Sequence, residues 1–184
     1  MRVEPTELPG VVRIDPTVHR DERGFFLEVF HAAKFRALGL DLAFVQDNHS
    51  SSKRGTLRGL HIQTEDLQGK LVRCVLGAVF DVAVDVRRGS PTFGRWFGVT
   101  LSAENFKQIW IPPGFAHGFA VLSERAEVEY KCTTLYRPDS DLAIRWDDAA
   151  IGILWPVTEP LLSAKDAAAP LLAEVAERLP EFTG

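Results

Sequence analysis

Between Gly10 and Trp146, apolar and polar residues exchange places in short runs, and within most runs the period is two. A period of two puts successive side chains on opposite faces of a half-buried strand. It predicts β-segments at Gly10–Pro16, Gly24–Phe30, Ala43–Ser50, Thr56–Gln63, Lys70–Leu76, Ala78–Val86, Trp96–Leu101, Gln108–Ile111, His117–Leu122, Ala126–Thr133 and Ile144–Trp146. Gly77, Gly89–Pro91, Pro112–Gly114 and Pro138–Ser140 supply the turns between them. So many short strands with almost no helix between them predict an all-β, antiparallel jelly-roll β-sandwich. The helical period appears only outside this block. His31–Leu38 reads as two turns stopped by Gly39. Pro170–Leu179 reads as a C-terminal helix with Pro170 in its first position. Leu171, Leu172, Val175 and Leu179 would form its apolar stripe, and Glu174 with Arg178 an i,i+4 pair. That helix is expected to cap the β-core. No repeat, low-complexity tract or linker interrupts the pattern, so residues 1–184 read as a single domain.

Composition narrows the class without changing this picture. A chain of 184 residues is long enough to bury about 70% of its unfolded surface without disulfides or metals. The apolar share of 46% and charged share of 25% are those of an ordinary globular protein. A net charge of −4 provides no general basic field, which argues against nucleic acid or an anionic membrane as partner. Any anion must be caught by a local cluster. Cys74 and Cys132 are the only cysteines, too few for a disulfide framework or a Cys-rich metal site, and they suit a reducing compartment. The first residues, MRVEPTELPG, lack a secretory pattern and no run reaches membrane-spanning length. The expected location is the cytoplasm.

The densest candidate chemistry lies between Gln46 and Val72, where Gln46, Asn48, Arg58, His61, Gln63 and Lys70 fall in one stretch of strand-like sequence. Such a set is costly to bury without a ligand. Along Arg58–Gln63, alternation puts His61 and Gln63 on one face and Leu60 and Ile62 on the other. Arg58 has the wrong parity and joins His61 only if the strand is irregular at Gly59, where an interior glycine often marks a bulge. The alternative is an edge strand with a surface Arg and a hydrogen-bonded His. In EVEYKCT, Val128, Tyr130 and Cys132 share one face, so Tyr130 points inward, either as a core residue or as an acid. His117 follows a Pro-Pro-Gly turn among apolar residues, as a polar group facing a cavity or a core His bonded to backbone.

Further out, Arg23 and Glu28 lie in HRDERGFFLEVF, and Lys165 with Asp166 follows the last strand in LLSAKD. Asp166 is either part of a polar loop or a carboxylate that returns to orient an imidazole. A metal-dependent jelly roll is a poor fit. The segment His61-Ile62-Gln63 offers an amide where a second imidazole is needed, and His19, His31 and His49 have no matching spacing.

Taken in order, the runs DERGFFLEVF, QDNHSSSKRGTLRGLHIQ, QGKLVRCVLGAVFDVAVDVRRGSPTFGRW, LSAENFKQIWIPPGFAHGF, EYKCTTLYRP and LLSAKD resemble the dTDP-4-dehydrorhamnose 3,5-epimerase family from about Gly10 to Pro170. The resemblance implies a cupin-like jelly roll, a homodimer, no metal and no cofactor. It implies dTDP-4-dehydro-6-deoxyglucose as the small-molecule substrate. By motif position it makes His61 the general base, Asp166 the carboxylate paired with it, Tyr130 the general acid and Lys70 the cation beside the sugar's carbonyl oxygen. Arg23, Glu28, Gln46, Asp47, Asn48, Arg58, His117, Asp141 and Lys165 match substrate-contacting positions, and Tyr136 the aromatic that stacks on thymine. The chain departs from the family at Ile62, where an aromatic is usual, and at Asp141, which often is Glu. Its loop from His61 to Lys70 is also one residue short. Two rivals accompany this reading: an epimerase acting at C3 or C5 alone, and a non-catalytic jelly roll that binds a nucleotide sugar.

Overall fold

The structure is a computed structural model that describes every residue from Met1 to Gly184. Its strands build two large antiparallel sheets. One holds β1 (Arg2–Pro5), β2 (Val12–Asp15), β10 (Gln108–Ile111), β7 (Lys70–Leu76), β12 (Arg125–Cys132) and β5 (Gln46–Lys53), in that order. The other holds β13 (Asp141–Ala143), β6 (Leu57–Gln63), β11 (Phe115–Val121), β8 (Ala78–Asp85) and β9 (Trp96–Ser102). Sequence neighbours are rarely sheet neighbours, as a jelly roll requires. A separate hairpin pairs β3 (Val18–Asp21) with β4 (Gly24–Leu27) and joins neither sheet.

Alternation along each strand sorts its side chains into three cores. Between the sheets, Val72, Cys74, Ile109 and Val128 of the first meet Val79, Ala83, Phe115, Phe119 and Val121 of the second. On the outer face of the second sheet, Leu60, Ile62, Val82, Val84 and Leu142 are covered by Ile151, Leu172, Val175 and Leu179 from the C-terminal segment. On the outer face of the first, Ile14, Leu71 and Trp110 are covered by Phe35 of the short helix α1 (Ala32–Ala37).

Several elements differ from the sequence expectation. The Ala43–Ser50 segment pairs only from Gln46 and runs on to Lys53. The last strand is Asp141–Ala143 rather than Ile144–Trp146, because the pairing partner is His61–Gln63. β1 and β3 were not expected, their polar residues masking the alternation.

The C-terminal helix shrinks to one turn, α3 (Leu172–Val175), followed by a 3₁₀ turn at Ala176–Arg178. Pro170 stays outside it, its carbonyl accepting from Arg145 N–H at 2.8 Å. Glu174 does not pair with Arg178; its carboxylate accepts from Leu171 N–H at 2.7 Å. Asp148 accepts from Leu172 N–H at 2.7 Å. The helix start is therefore capped locally by Glu174 and from outside by Asp148. A further single turn, α2 (Ala164–Ala167), where the sequence shows no helical period, carries Asp166, with Ser163 accepting from Asp166 N–H at 3.1 Å. No helix is long and apolar enough to cross a membrane.

Candidate active site

The polar residues collect between the two sheets, at the end of the sandwich where the apolar filling stops. In the second sheet, His117 lies directly opposite His61, and Phe119 opposite Arg58. Two steps on β11 thus face three on β6, and the extra residue falls at Gly59, whose φ is +122°. The irregularity reverses the parity of Arg58 and puts its side chain in the same cavity as His61. Only glycine fits there. A Cβ on Gly59 would lie 2.6 Å from Gly118 Cα and 2.7 Å from the His117 carbonyl oxygen. Leu60 and Ile62, on the opposite face, are core.

In the first sheet, β5, β12 and β7 supply the facing wall. Asn48, Tyr130 and Val72 stand abreast, and Lys70 pairs with Cys132 in the ladder. Two adjoining chambers result. One, of about 460 Å³, is lined among others by Arg58, His61, Lys70, His117, Tyr130 and Asp166. The second, of about 290 Å³, adds Gln46, Asn48, Tyr136 and Asp141 to His61, Lys70 and Tyr130.

Two His–Asp pairs organise the first chamber. Asp166, projected by α2 and buried, accepts from His61 Nε2 at 2.6 Å, which leaves Nδ1 as the lone-pair nitrogen. Burial pushes the Asp166 carboxyl up, but the bond and charge of His61, with Ser163, outweigh it and hold the acid below its usual range. On the floor, fully buried Asp81 accepts from His117 Nε2 at 2.9 and 3.1 Å.

Lys70 stands 5.9 Å from the centre of the Tyr130 ring. Burial lowers the pKa of its ammonium, while Cys132, Asp141 and Asp81 pull it back. Burial also raises the Tyr130 phenol, seconded by Cys132, so the phenol keeps its proton at neutral pH. Arg58 is steadied by Ser52, which accepts from its Nε at 3.0 Å.

At the mouth, the half-exposed Tyr136 donates to Asp141 at 2.8 Å, and Lys165 forms an ion pair with the same carboxylate oxygen. Burial raises the Asp141 acid, but these two partners outweigh it and keep it ionised below the usual range. Gln46 accepts from Tyr136 N–H at 2.8 Å and donates to Asn48 at 3.1 Å. Gln63 is spent on structure: it donates to the Asp66 and Leu135 carbonyls and accepts from Arg137 N–H, clamping the loop that carries Tyr136.

Three expected contacts are not brought to this cavity. Asp47 lies on the opposite face of β5, paired with Lys131 at 2.9 Å, in a separate cleft of about 330 Å³. Its neighbours Gln46 and Asn48 point inward, so strand alternation forces it out. Arg23 sits at the tip of the free hairpin, paired with Asp21 at 2.5 Å, and Glu28 is paired with Lys34 at 2.7 Å. Sequence reasoning missed Asp81 and Ser163. Asp81 had a signal, a charge at an inward position of the apolar strand AVFDVAVD. Ser163 had a weaker one, an N-cap residue three before Asp166. No group of three His, Cys, Asp or Glu side chains converges as a metal site.

The sequence model described as dTDP-4-dehydrorhamnose 3,5-epimerase matches residues 5–174. A protein of that name from Salmonella typhimurium is 59% identical over 175 residues, 94% of this chain and 96% of its own. A dTDP-6-deoxy-D-glucose-3,5-epimerase from Legionella pneumophila, solved with dTDP-4-keto-L-rhamnose, superposes with a TM-score of 0.96 at 51% identity, covering 100% of this chain and 99% of that one. A 3'-monoepimerase from Streptomyces bikiniensis, solved with dTDP-quinovose, superposes with a TM-score of 0.89 at 39% identity, covering 96% and 92%.

Proposed function

Because the chain belongs to the dTDP-4-dehydrorhamnose 3,5-epimerase family, we propose that it inverts C3 and C5 of dTDP-4-dehydro-6-deoxy-D-glucose. The product is dTDP-4-dehydro-L-rhamnose, an intermediate toward dTDP-L-rhamnose. The observation that carries this reading is the pairing of His61 with buried Asp166, facing Lys70 and Tyr130 across one cavity.

The substrate's C4 ketone acidifies the hydrogens on C3 and C5. His61 takes each proton, and the electron pair moves through the C–C bond onto the carbonyl oxygen as an enolate. Asp166 favours the tautomer with Nε2 protonated and stabilises the imidazolium that forms. Lys70 faces the developing oxygen charge; the enolate strengthens the hold on its proton that burial had weakened. Tyr130 then returns a proton to carbon, and before the second carbon reacts solvent takes the proton from His61 and restores the one on Tyr130. It stands on the six-stranded sheet and His61 on the five-stranded one, so the two reach a sugar between them from opposite sides. Opposite-face delivery is what inversion demands.

Arg58 holds the diphosphate with its bidentate fork, Tyr136 stacks on thymine, and Gln46, Asn48, His117, Asp141 and Lys165 complete the enclosure. Arg23 and Glu28 come from a second copy: their hairpin stands apart from both sheets and exposes Phe25 and Phe26 at 56% and 71%. The working protein is a cytoplasmic homodimer.

Incubation with dTDP-4-dehydro-6-deoxyglucose in D₂O tests the activity. Deuterium enters C3 and C5; label at one carbon alone makes the protein a single-site epimerase, and label at neither refutes catalysis. His61→Ala lowers the exchange rate by about 10²–10⁴ while leaving the fold intact. Full exchange in that variant removes His61 as the base.

A further inference from the structure

Ser50 has the one buried side-chain oxygen or nitrogen in the chain with no hydrogen-bond partner. It belongs to the inward row of β5, Gln46, Asn48, Ser50 and Ser52. Every other member is engaged: Gln46 with Asn48 and Tyr136, Asn48 with the Cys132 thiol at 3.4 Å, Ser52 with Arg58. The residue across the ladder from Ser50 is Val128, which offers its side chain nothing to bond. A buried hydroxyl left unpaired costs stability unless something bonds it when the protein works.

Ser50 lines the larger chamber with Arg58, His61, Lys70, His117 and Tyr130, and not the one that holds Tyr136. Along β5 it sits one inward position beyond Asn48, the residue abreast of Tyr130. We infer that Ser50 is a substrate-binding residue whose hydroxyl is kept for an oxygen of the hexose. A hydroxyl both donates and accepts, which suits a sugar hydroxyl, and its place beyond Tyr130 is remote from the thymine side. This rests on the epimerase reading above.

The test is Ser50→Ala, measured by deuterium exchange from D₂O with dTDP-4-dehydro-6-deoxyglucose, by calorimetric titration with dTDP, and by thermal melting without ligand. The expected kcat/KM is about three- to tenfold below wild type, the worth of one neutral hydrogen bond. The Kd for dTDP stays within about twofold, because the hexose is missing from that ligand. The ligand-free melting temperature is unchanged or higher, since the substitution removes an unpaired group. Three results overturn the inference: unchanged kcat/KM, an equal weakening of dTDP, which moves the contact to the diphosphate, or a lower melting temperature, which makes the hydroxyl structural. A wild-type protein that catalyses no exchange refutes the epimerase reading instead.

Discussion

At the scale of single residues, side-chain direction was readable wherever a strand alternated cleanly. Tyr130 points inward because Val128 and Cys132 do, and Asp47 points outward because Gln46 and Asn48 do not. Partners were not readable, since Asp166 reaches His61 across 105 residues and Asp81 reaches His117 across 36. The environment of Lys70 carries a pH prediction. Burial sets its pKa below the ordinary value of 10.5, whereas burial raises Tyr130 above its own 10.0. Lys70 therefore loses its charge at a lower pH than a free lysine does, while Tyr130 holds its proton to a higher pH than a free tyrosine does. The alkaline limb of kcat/KM falls below pH 10.5 and reports Lys70. Lys70→Arg moves that limb upward, because a guanidinium stays charged, at a lower maximal rate. A limb that stays in place in this variant assigns it to another group. Lys70→Ala costs about 10²–10³ in kcat.

At the scale of elements, strand existence followed from period and turns, and strand ends did not. The β6 irregularity was legible only as an either-or at Gly59. Pairing with β11 decided it, by running two residues against three. Gly59 and Gly118 are pressed together there, and a Cβ on Gly118 would lie 2.8 Å from the Arg58 carbonyl oxygen. Gly59→Ala must take a positive φ and push β11 aside, so it should lose about 3 kcal/mol or more of stability. Urea unfolding measures this; a midpoint within error of wild type would mean that the two strands can separate freely. The shortened C-terminal helix has the opposite lesson. Its apolar stripe was real, but Leu172, Val175 and Leu179 reach the outer face of the sheet from one α-turn and one 3₁₀ turn.

At the scale of the whole molecule, one chain encloses every group proposed for proton transfer and leaves Arg23 and Glu28 outside. If a second copy supplies them, Arg23→Ala alone loses about tenfold or more in kcat/KM, as for a lost charged contact to phosphate. Mixing Arg23→Ala with His61→Ala by unfolding and refolding then restores activity toward about a quarter of wild type, because half the dimers are mixed and each has one intact site. No recovery on mixing places Arg23 in cis. By itself the sequence determined the all-β class, the inward face of most strands and, through six ordered motifs, the family. These depend on local period and residue type, which the chain carries at every position. Only the tertiary structure decided that Arg58 turns inward, that Asp81 lies beneath His117 and that Ser50 is left without a partner. Each depends on how strands distant in sequence pair, which no local pattern encodes.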